Sequence, residues 1–216
     1  ALEWKTNTKV TLKTEPVPAV KNVAKVGETE YATLEEAVAA VTETNSTITL
    51  LTDVNTPETT YVVSKDLTID LNGKTVTGYG YDGVFQINGA NANVLIKNGN
   101  VVAVEKTGSE GKYAMAVWAC AENCEVTLED LTVTQDITHT DDKQMDMIYT
   151  SKGTIIINSG SFTSGTPAWT LNCKDAAFKD GSAKIIVNGG TFVGFDPNVS
   201  PEQKVDGKTP SFAAPG

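Results

Sequence analysis

The chain has 216 residues, of which 40% are hydrophobic, and its formal net charge is −10. This hydrophobic content is enough for one sizeable core, and no apolar run reaches the ~18 residues of a membrane span. All 17 basic residues are Lys and none is Arg, so the composition excludes a nucleic-acid partner, which would require clustered positive charge.

The first residues have the pattern of an extended chain. Val10 and Leu12 alternate with polar residues, and Pro16 and Pro18 prevent a helix. We therefore predict an N-terminal arm or linker over residues 1–22. An extended arm of this kind is expected to dock onto a neighbouring subunit or domain.

A capping strand and helix are predicted next, over residues 23–46. Thr33 and Glu36 have the spacing of a capping box, in which the hydroxyl caps the helix and the carboxylate reaches back. The apolar stripe of the helix consists of Leu34, Ala37, Val38 and Val41. A helix of about ten residues is too short to stand alone, so we expect it to cover the open end of a larger structure.

From residue 47 onward the sequence contains a repeat. Each copy has an apolar residue, a second two positions later and a third five positions after that. The residues between the second and third are rich in Gly, Asn and Asp, which allow a sharp turn. The five copies begin at Ile69, Val94, Val126, Ile155 and Ile185. Each copy therefore predicts a strand, a tight corner and a second strand, which is one corner of a coil.

A second apolar column precedes several of the repeats. It has an aromatic residue, one intervening residue and a smaller apolar residue, and its members are Phe85 and Ile87, Trp118 and Cys120, and Trp169 and Leu171. We expect these side chains to stack as a second inward-facing wall. Cys173 fits the same inward column, where a free thiol behaves as a small apolar group.

A repeat of about 30 residues cannot bury its apolar side chains alone, but stacked repeats can. The predicted fold class is all-β: a single-stranded, right-handed parallel β-helix of five to six coils over residues 47–198, with a short N-terminal capping α-helix. Residues 199–216 are a C-terminal extension, for which truncation is an open alternative. A β-sandwich is the alternative fold, and it would show turn signals every 8–12 residues.

Several segments also resemble a known family. Residues 26–38, 48–51, 67–74, 187–192 and 194–197 are similar to pectate-lyase-like β-helix modules, and the resemblance covers roughly residues 24–198. Such modules occur in adhesin-like surface proteins of gut bacteria and in structural proteins of phages. The resemblance is specific for the fold and weak for the function, because the family is defined by its scaffold.

The expected function is that of a non-catalytic structural or adhesive module. It would be extracellular, on a bacterial cell surface or in a virion as a capsid decoration, fibre or tail component. Its expected partners are neighbouring subunits or domains and glycans, without nucleic acid or membrane insertion. No cofactor, catalytic residue or metal ligand is expected. The alternatives are a polysaccharide-active lyase or hydrolase and a carbohydrate-binding module.

One aromatic loop is the candidate ligand-binding site. Tyr79 and Tyr81 are flanked by Gly80 and Gly83, and exposed tyrosines in such a loop can stack on sugar rings. The alternative is a turn between coils whose tyrosines lie on the scaffold.

Residues with catalytic chemistry are sparse. Pectate lyases use an Arg base, which this chain lacks. The one dense acidic group is interpreted as a solvated loop, with a calcium site or a catalytic pair as alternatives. This group contains Asp136, Asp141, Asp142 and Asp146.

The cysteines do not have the spacing of a known metal site. Cys120, Cys124, Cys173 and His139 are the residues that a zinc site would use. A disulfide between Cys120 and Cys124 is an open alternative in an exported protein.

Overall fold

The computed structural model of the protein describes residues 21–108, 111–138, 145–203 and 209–215. The predictions for residues 1–20, for His139 and for Asp141 and Asp142 lie outside the described residues. Neither of the two helices in these ranges is long enough to cross a membrane.

The described chain begins with a small antiparallel unit and a helix. They are β1 (Ala24–Val26), β2 (Thr29–Tyr31) and α1 (Leu34–Ala40). The predicted capping box is confirmed, because Glu36 N donates to Thr33 Oγ1 at 3.1 Å and Thr33 N donates to Glu36 Oε2 at 3.3 Å. The helix is shorter than the expected ten residues because Val41 leaves helical geometry, with φ −65° and ψ 116°.

The rest of the chain consists mainly of short strands. The first coils contain β3 (Ser46–Leu50), β4 (Val54–Asn55), β5 (Tyr61–Val63), β6 (Leu67–Asp70), β7 (Thr75–Tyr79), β8 (Phe85–Ile87) and β9 (Asn93–Val104). The middle coils contain β10 (Lys106–Gly108), β11 (Gly111–Tyr113), β12 (Val117–Ala119) and β13 (Glu125–Asp136). The last coils contain β14 (Ile148–Thr150), β15 (Gly153–Ile157), β16 (Gly160–Thr163), β17 (Leu171–Cys173), α2 (Asp175–Asp180), β18 (Ala183–Val187) and β19 (Thr191–Val193).

Apart from the antiparallel hairpin of β10 and β11, these strands stack in parallel, so the predicted parallel β-helix is confirmed. One wall has the strand order β18-β15-β13-β9-β6-β3, and the second wall has the order β17-β14-β12-β8-β5. Strands β4, β7, β16 and β19 continue the first wall beyond a corner, where they pair with each other and with the long strands β9 and β13. Backbone hydrogen bonds between successive coils hold this stack together.

The β-helix has about four turns, fewer than the five to six that were predicted. Within the described residues the second wall contains five strands, so four steps lead from its first strand to its last. The last repeat is not followed by another coil, because the C-terminal segment lies over it. Val187 N donates to Phe212 O at 2.8 Å, and the buried Gln203 side chain accepts from Cys173 N at 2.7 Å.

The repeated apolar residues form the core, with one difference in register. Four of the five triplets align as predicted, but β6 pairs Leu67 with Val94 and Ile69 with Ile96. The first two members of the first triplet are therefore displaced by two residues, whereas its third member, Val76, pairs with Val101 as predicted. A displacement of two keeps each side chain on the same face of a strand, so Ile69 and Leu71 are still fully buried.

The turn chemistry predicted for the corners is also confirmed. Asn98 and Asp130 have φ of 60° and 49°, and Gly160 has φ of 130°. This left-handed region is accessible to Gly and, among other residues, mainly to Asn and Asp. The corner residues therefore bend β9 and β13 without breaking the stack of coils.

Candidate functional site

The two tyrosines singled out from the sequence lie side by side on the outside of the β-helix. Tyr79 ends β7 and Tyr81 follows in the next loop, with ring centroids 6.0 Å apart. Both side chains are half-buried. Each ring therefore lies partly on the scaffold and is partly exposed to solvent. The first feature was expected for a turn between coils, and the second for a sugar-binding loop.

A third tyrosine, which the sequence did not point to, completes this group. Tyr113 meets Tyr81 edge to face, with centroids 5.0 Å apart and an interplanar angle of 90°. It is brought there by the hairpin of β10 and β11, which pairs Lys106 with Tyr113. Gly80 makes the close approach feasible, because a Cβ there would lie 2.7 Å from Ala114 Cα.

Trp118 was predicted to point inward, and this prediction is wrong. Strand β12 places Val117 against Phe85 and Ala119 against Ile87, so Trp118 between them faces outward. A shift of one residue moves a side chain to the opposite face of a strand. The indole Nε1 donates to Ser151 Oγ at 3.0 Å, and the ring lies 6.5 Å from that of Tyr149.

Two other members of the predicted second wall are also not part of the inward column. Cys120 lies just beyond β12 and is only half-buried, and Trp169 lies in a short 3-10 turn rather than on the inward column. The predictions for Phe85, Ile87, Leu171 and Cys173 are confirmed, since all four are buried on paired strands of the second wall.

The tyrosine group and the Trp118–Tyr149 pair are neighbours. Gly83 lies against Trp118, and a Cβ on Gly83 would be 3.2 Å from Trp118 Cβ. Tyr113 is close enough to Tyr149 to contribute to its raised pKa. We call this surface the aromatic strip, and it consists of Tyr79, Tyr81, Tyr113, Trp118 and Tyr149, all of which are half-buried.

A carboxyl group with a raised pKa lies at one end of the aromatic strip. Burial raises the pKa of Asp146 to about 7, and a hydrogen bond from Asn172 Nδ2 at 3.0 Å opposes this shift. Burial, followed by the nearby Asp146, raises the pKa of Tyr149 to about 12. Near neutral pH Asp146 therefore exists in both protonation states, and its carboxyl can either donate or accept a hydrogen bond.

Gln135 holds the loops beneath the aromatic strip together. Its Nε2 donates to Ala114 O and to Met145 O, each at 3.0 Å, and its Oε1 accepts from Ser164 Oγ at 2.7 Å and from Gly165 N at 3.0 Å. Ala114 follows Tyr113 and Met145 precedes Asp146 in the chain. One amide therefore positions the backbone next to two residues of the site.

Gln135→Ala is expected to lower the free energy of unfolding by about 1–3 kcal/mol, because it removes the donor to the buried Ala114 carbonyl and one of the two donors to Met145 O, which keeps the hydrogen bond from Thr166 Oγ1. Chemical denaturation of the variant and the wild type measures this. Thr134→Ala, at the neighbouring half-exposed position on the same strand, is the matched control and should change stability by less than about 0.5 kcal/mol. Equal stability of Gln135→Ala and Thr134→Ala would contradict this role of Gln135.

The three cysteines are free thiols, so the Cys120–Cys124 disulfide is not formed. Burial raises the pKa of Cys120 to about 11 and raises the pKa of Cys173 even further. A thiol with a raised pKa stays protonated at neutral pH and is a poor nucleophile and metal ligand. Within the described ranges, no group of three Cys, His, Asp or Glu residues is arranged to hold a metal ion.

The geometry thus defines a parallel β-solenoid that has a half-buried aromatic surface on its outside and, beside this surface, a carboxyl group whose pKa is raised by burial. Comparison of the chain with protein-family models, with curated proteins and with solved structures found no significant match.

Proposed function

We propose that the chain is a non-catalytic, adhesive β-helix module that binds glycans through the aromatic strip. We further propose that it is extracellular, on a bacterial cell surface or in a virion, and that its scaffold is of the pectate-lyase-like type. The observation that carries glycan binding is the clustering of five half-buried aromatic rings on one outer face.

The chemistry of the strip suits a sugar ligand. Aromatic side chains have a polar handle beside a large apolar surface, and the C–H faces of a pyranose ring pack on such a surface. Polar groups that can orient sugar hydroxyls lie beside the rings, namely the carboxyl of Asp146 and the amide of Gln86, which neighbours Trp118 across the sheet.

The shape of the strip favours an extended ligand over a single sugar. Its members come from successive coils, because Trp118 and Tyr149 occupy equivalent positions on the paired strands β12 and β14. Neighbouring strands are about 4.8 Å apart, so rings on successive coils form a track along the axis. An oligosaccharide lying on this track would contact several rings at once.

Removal of single rings tests the proposal. A glycan array with the purified protein would identify a ligand, and calorimetric titration would measure its affinity. Trp118→Ala and Tyr81→Ala are expected to weaken binding at least about ten-fold each, which corresponds to about 1.4 kcal/mol. Tyr81→Phe keeps the ring and is expected to keep most of the affinity.

The control for general damage is Val62→Ala. Val62 occupies the equivalent outward position on β5, the N-terminal strand of the second wall and two strands from Trp118, and is 44% exposed. It should leave the affinity unchanged. Unchanged binding by Trp118→Ala and Tyr81→Ala would refute the aromatic strip as the site, and release of new reducing ends from a bound glycan would establish the alternative of a polysaccharide-active enzyme.

A further inference from the structure

An unpaired carboxylate lies between two members of the aromatic strip. Asp82 follows Tyr81 in the chain, and the next residue, Gly83, lies against Trp118. Asp82 is half-buried. Within the part of the chain that the structure describes, neither a hydrogen-bond donor nor a cation is bonded to its carboxylate. A partly desolvated carboxylate without a partner gains more from an incoming cation than a fully solvated one.

The position of Cys120 shows that the carboxylate of Asp82 lies near β12. Burial, followed by the charges of Cys124 and Asp82, raises the pKa of Cys120 to about 11. Cys120 lies just beyond β12 and two residues after Trp118. A sugar that packs on Trp118 or on Tyr81 therefore brings its substituents close to the carboxylate of Asp82.

The basic side chains beside the aromatic strip already have partners. Lys106 forms an ion pair with Glu58, and its Nζ lies 5.7 Å from the centre of the Tyr79 ring. Lys112, which precedes Tyr113, also interacts with another group of the protein. An anionic ligand would have to take Lys106 from Glu58, whereas a cationic ligand leaves this ion pair intact.

Further carboxylates border the Tyr79 end of the aromatic strip. Val104 pairs with Tyr79 on one side and with Asp136 on the other, so Asp136 lies on the same outer face, one coil spacing of about 4.8 Å beyond Val104. Glu105 follows Val104 and accepts a hydrogen bond from Thr138 N at 2.7 Å. Among the described residues, the charged groups that border the strip are therefore mainly acidic, in agreement with the net charge of −10.

We propose that the aromatic strip selects glycans that carry protonated amines over glycans that carry carboxylates or sulfates, and that Asp82 determines this selectivity. The inference rests on the proposed function, because it concerns the same glycan-binding surface. An ammonium group beside Asp82 pairs with the carboxylate and is also attracted to the faces of the neighbouring aromatic rings. An acidic substituent at this place meets a like charge, which disfavours binding.

Three hexasaccharides that have the same linkage and differ in charge test the selectivity. They consist of glucosamine, N-acetylglucosamine and glucuronic acid, which are cationic, neutral and anionic. Calorimetric titration of the full chain at about pH 6, where the amines are protonated, measures their affinities. The glucosamine hexasaccharide is expected to bind at least about ten-fold more tightly than the N-acetylglucosamine one, and the glucuronic acid one is expected to bind most weakly.

Substitution of Asp82 tests its role. In Asp82→Asn the ratio of the affinities for glucosamine and N-acetylglucosamine hexasaccharides is expected to fall to about three-fold or less, because the carboxylate is lost. Asp82→Glu keeps the charge and should keep most of the ratio. The matched control is Glu28→Gln, which changes the net charge by the same amount at an exposed position between β1 and β2 and should leave the ratio unchanged.

The remaining outcomes separate failure of this inference from failure of the proposed function. Equal affinities for the glucosamine and N-acetylglucosamine hexasaccharides, no binding of the former, or tightest binding of the glucuronic acid one would overturn the selectivity. An unchanged ratio in Asp82→Asn would overturn the role of Asp82. Binding of the glucosamine hexasaccharide that survives both Trp118→Ala and Tyr81→Ala would instead refute the aromatic strip as the binding site.

Discussion

Phe162→Ala is expected to lower the free energy of unfolding by about 3–5 kcal/mol, the largest single effect on stability that we predict. Phe162 is fully buried on β16 and stacks on Phe192 of the next coil, with ring centroids 4.9 Å apart and an interplanar angle of 10°. On its other side it is level with Val133 of β13. The change would leave a cavity between two coils that cannot close without moving their paired backbones.

Urea denaturation followed by circular dichroism measures this effect. Thr163→Ala is the matched control, because Thr163 is the next residue on the same strand, points outward and is exposed. It should change the free energy of unfolding by less than about 0.5 kcal/mol. In a stack of coils each coil is stabilised mainly by its neighbours, so a loss below about 1 kcal/mol for Phe162→Ala would mean that the two rings do not form the core contact described.

Asp146→Asn is expected to make the stability of the protein less dependent on pH and to stabilise it above pH 7. The pKa of Asp146 is raised by burial from its ordinary value of 3.8 to about 7 in the folded protein. The unfolded chain therefore ionises first, and ionisation favours unfolding. Below about pH 4 the protonated carboxyl makes its full contribution to the free energy of unfolding. This contribution falls as the pH rises to about 7, and above that pH it does not change further.

Each pH unit in this interval costs about 1.4 kcal/mol, so wild type loses up to about 4 kcal/mol relative to the variant. Denaturant titrations of both proteins at pH 4, 5.5, 7 and 8 measure the difference. Tyr149 and Cys173, which lie near Asp146, do not titrate in this interval because their ordinary pKa values of 10.0 and 9.0 lie above it and burial raises both further. A stability difference that is the same at every pH would contradict the raised pKa of Asp146.

The sequence pattern predicts the structure best at the corners of the coil. Asn98, Asp130 and Gly160 lie between apolar residues at a constant spacing, and all three adopt positive φ. Few residue types enter this region of backbone conformation without strain. Local chemistry therefore specifies these turns, and the constant spacing between them specifies a coil.

The second wall was less predictable because its strands are only three residues long. In β12 all three residues, Val117, Trp118 and Ala119, are apolar, so alternation does not indicate which face is buried. The register is decided by the neighbouring coil, where Phe85 and Ile87 require Val117 and Ala119 to stack on them. In this register Trp118 faces outward, so a residue that was expected in the core belongs to the candidate site.

The aromatic strip depends on still longer-range effects. Tyr79 and Tyr81 are neighbours in the sequence and were recognised as a pair, but Tyr113 reaches them through the hairpin of β10 and β11 and Tyr149 through the pairing of β12 with β14. The raised pKa of Asp146 likewise follows from burial, and the hydrogen bond that opposes the rise comes from Asn172, 26 residues away. No local pattern marks these residues as neighbours.

The sequence by itself thus determined the period, the corner turns, the helix cap and hence the stacked-coil fold, because each depends on residues within one repeat. The tertiary structure decided the number of turns, the direction of Trp118, the protonation of Asp146 and the composition of the aromatic strip. These depend on which residues of different coils lie at the same level, and that is set by packing between coils.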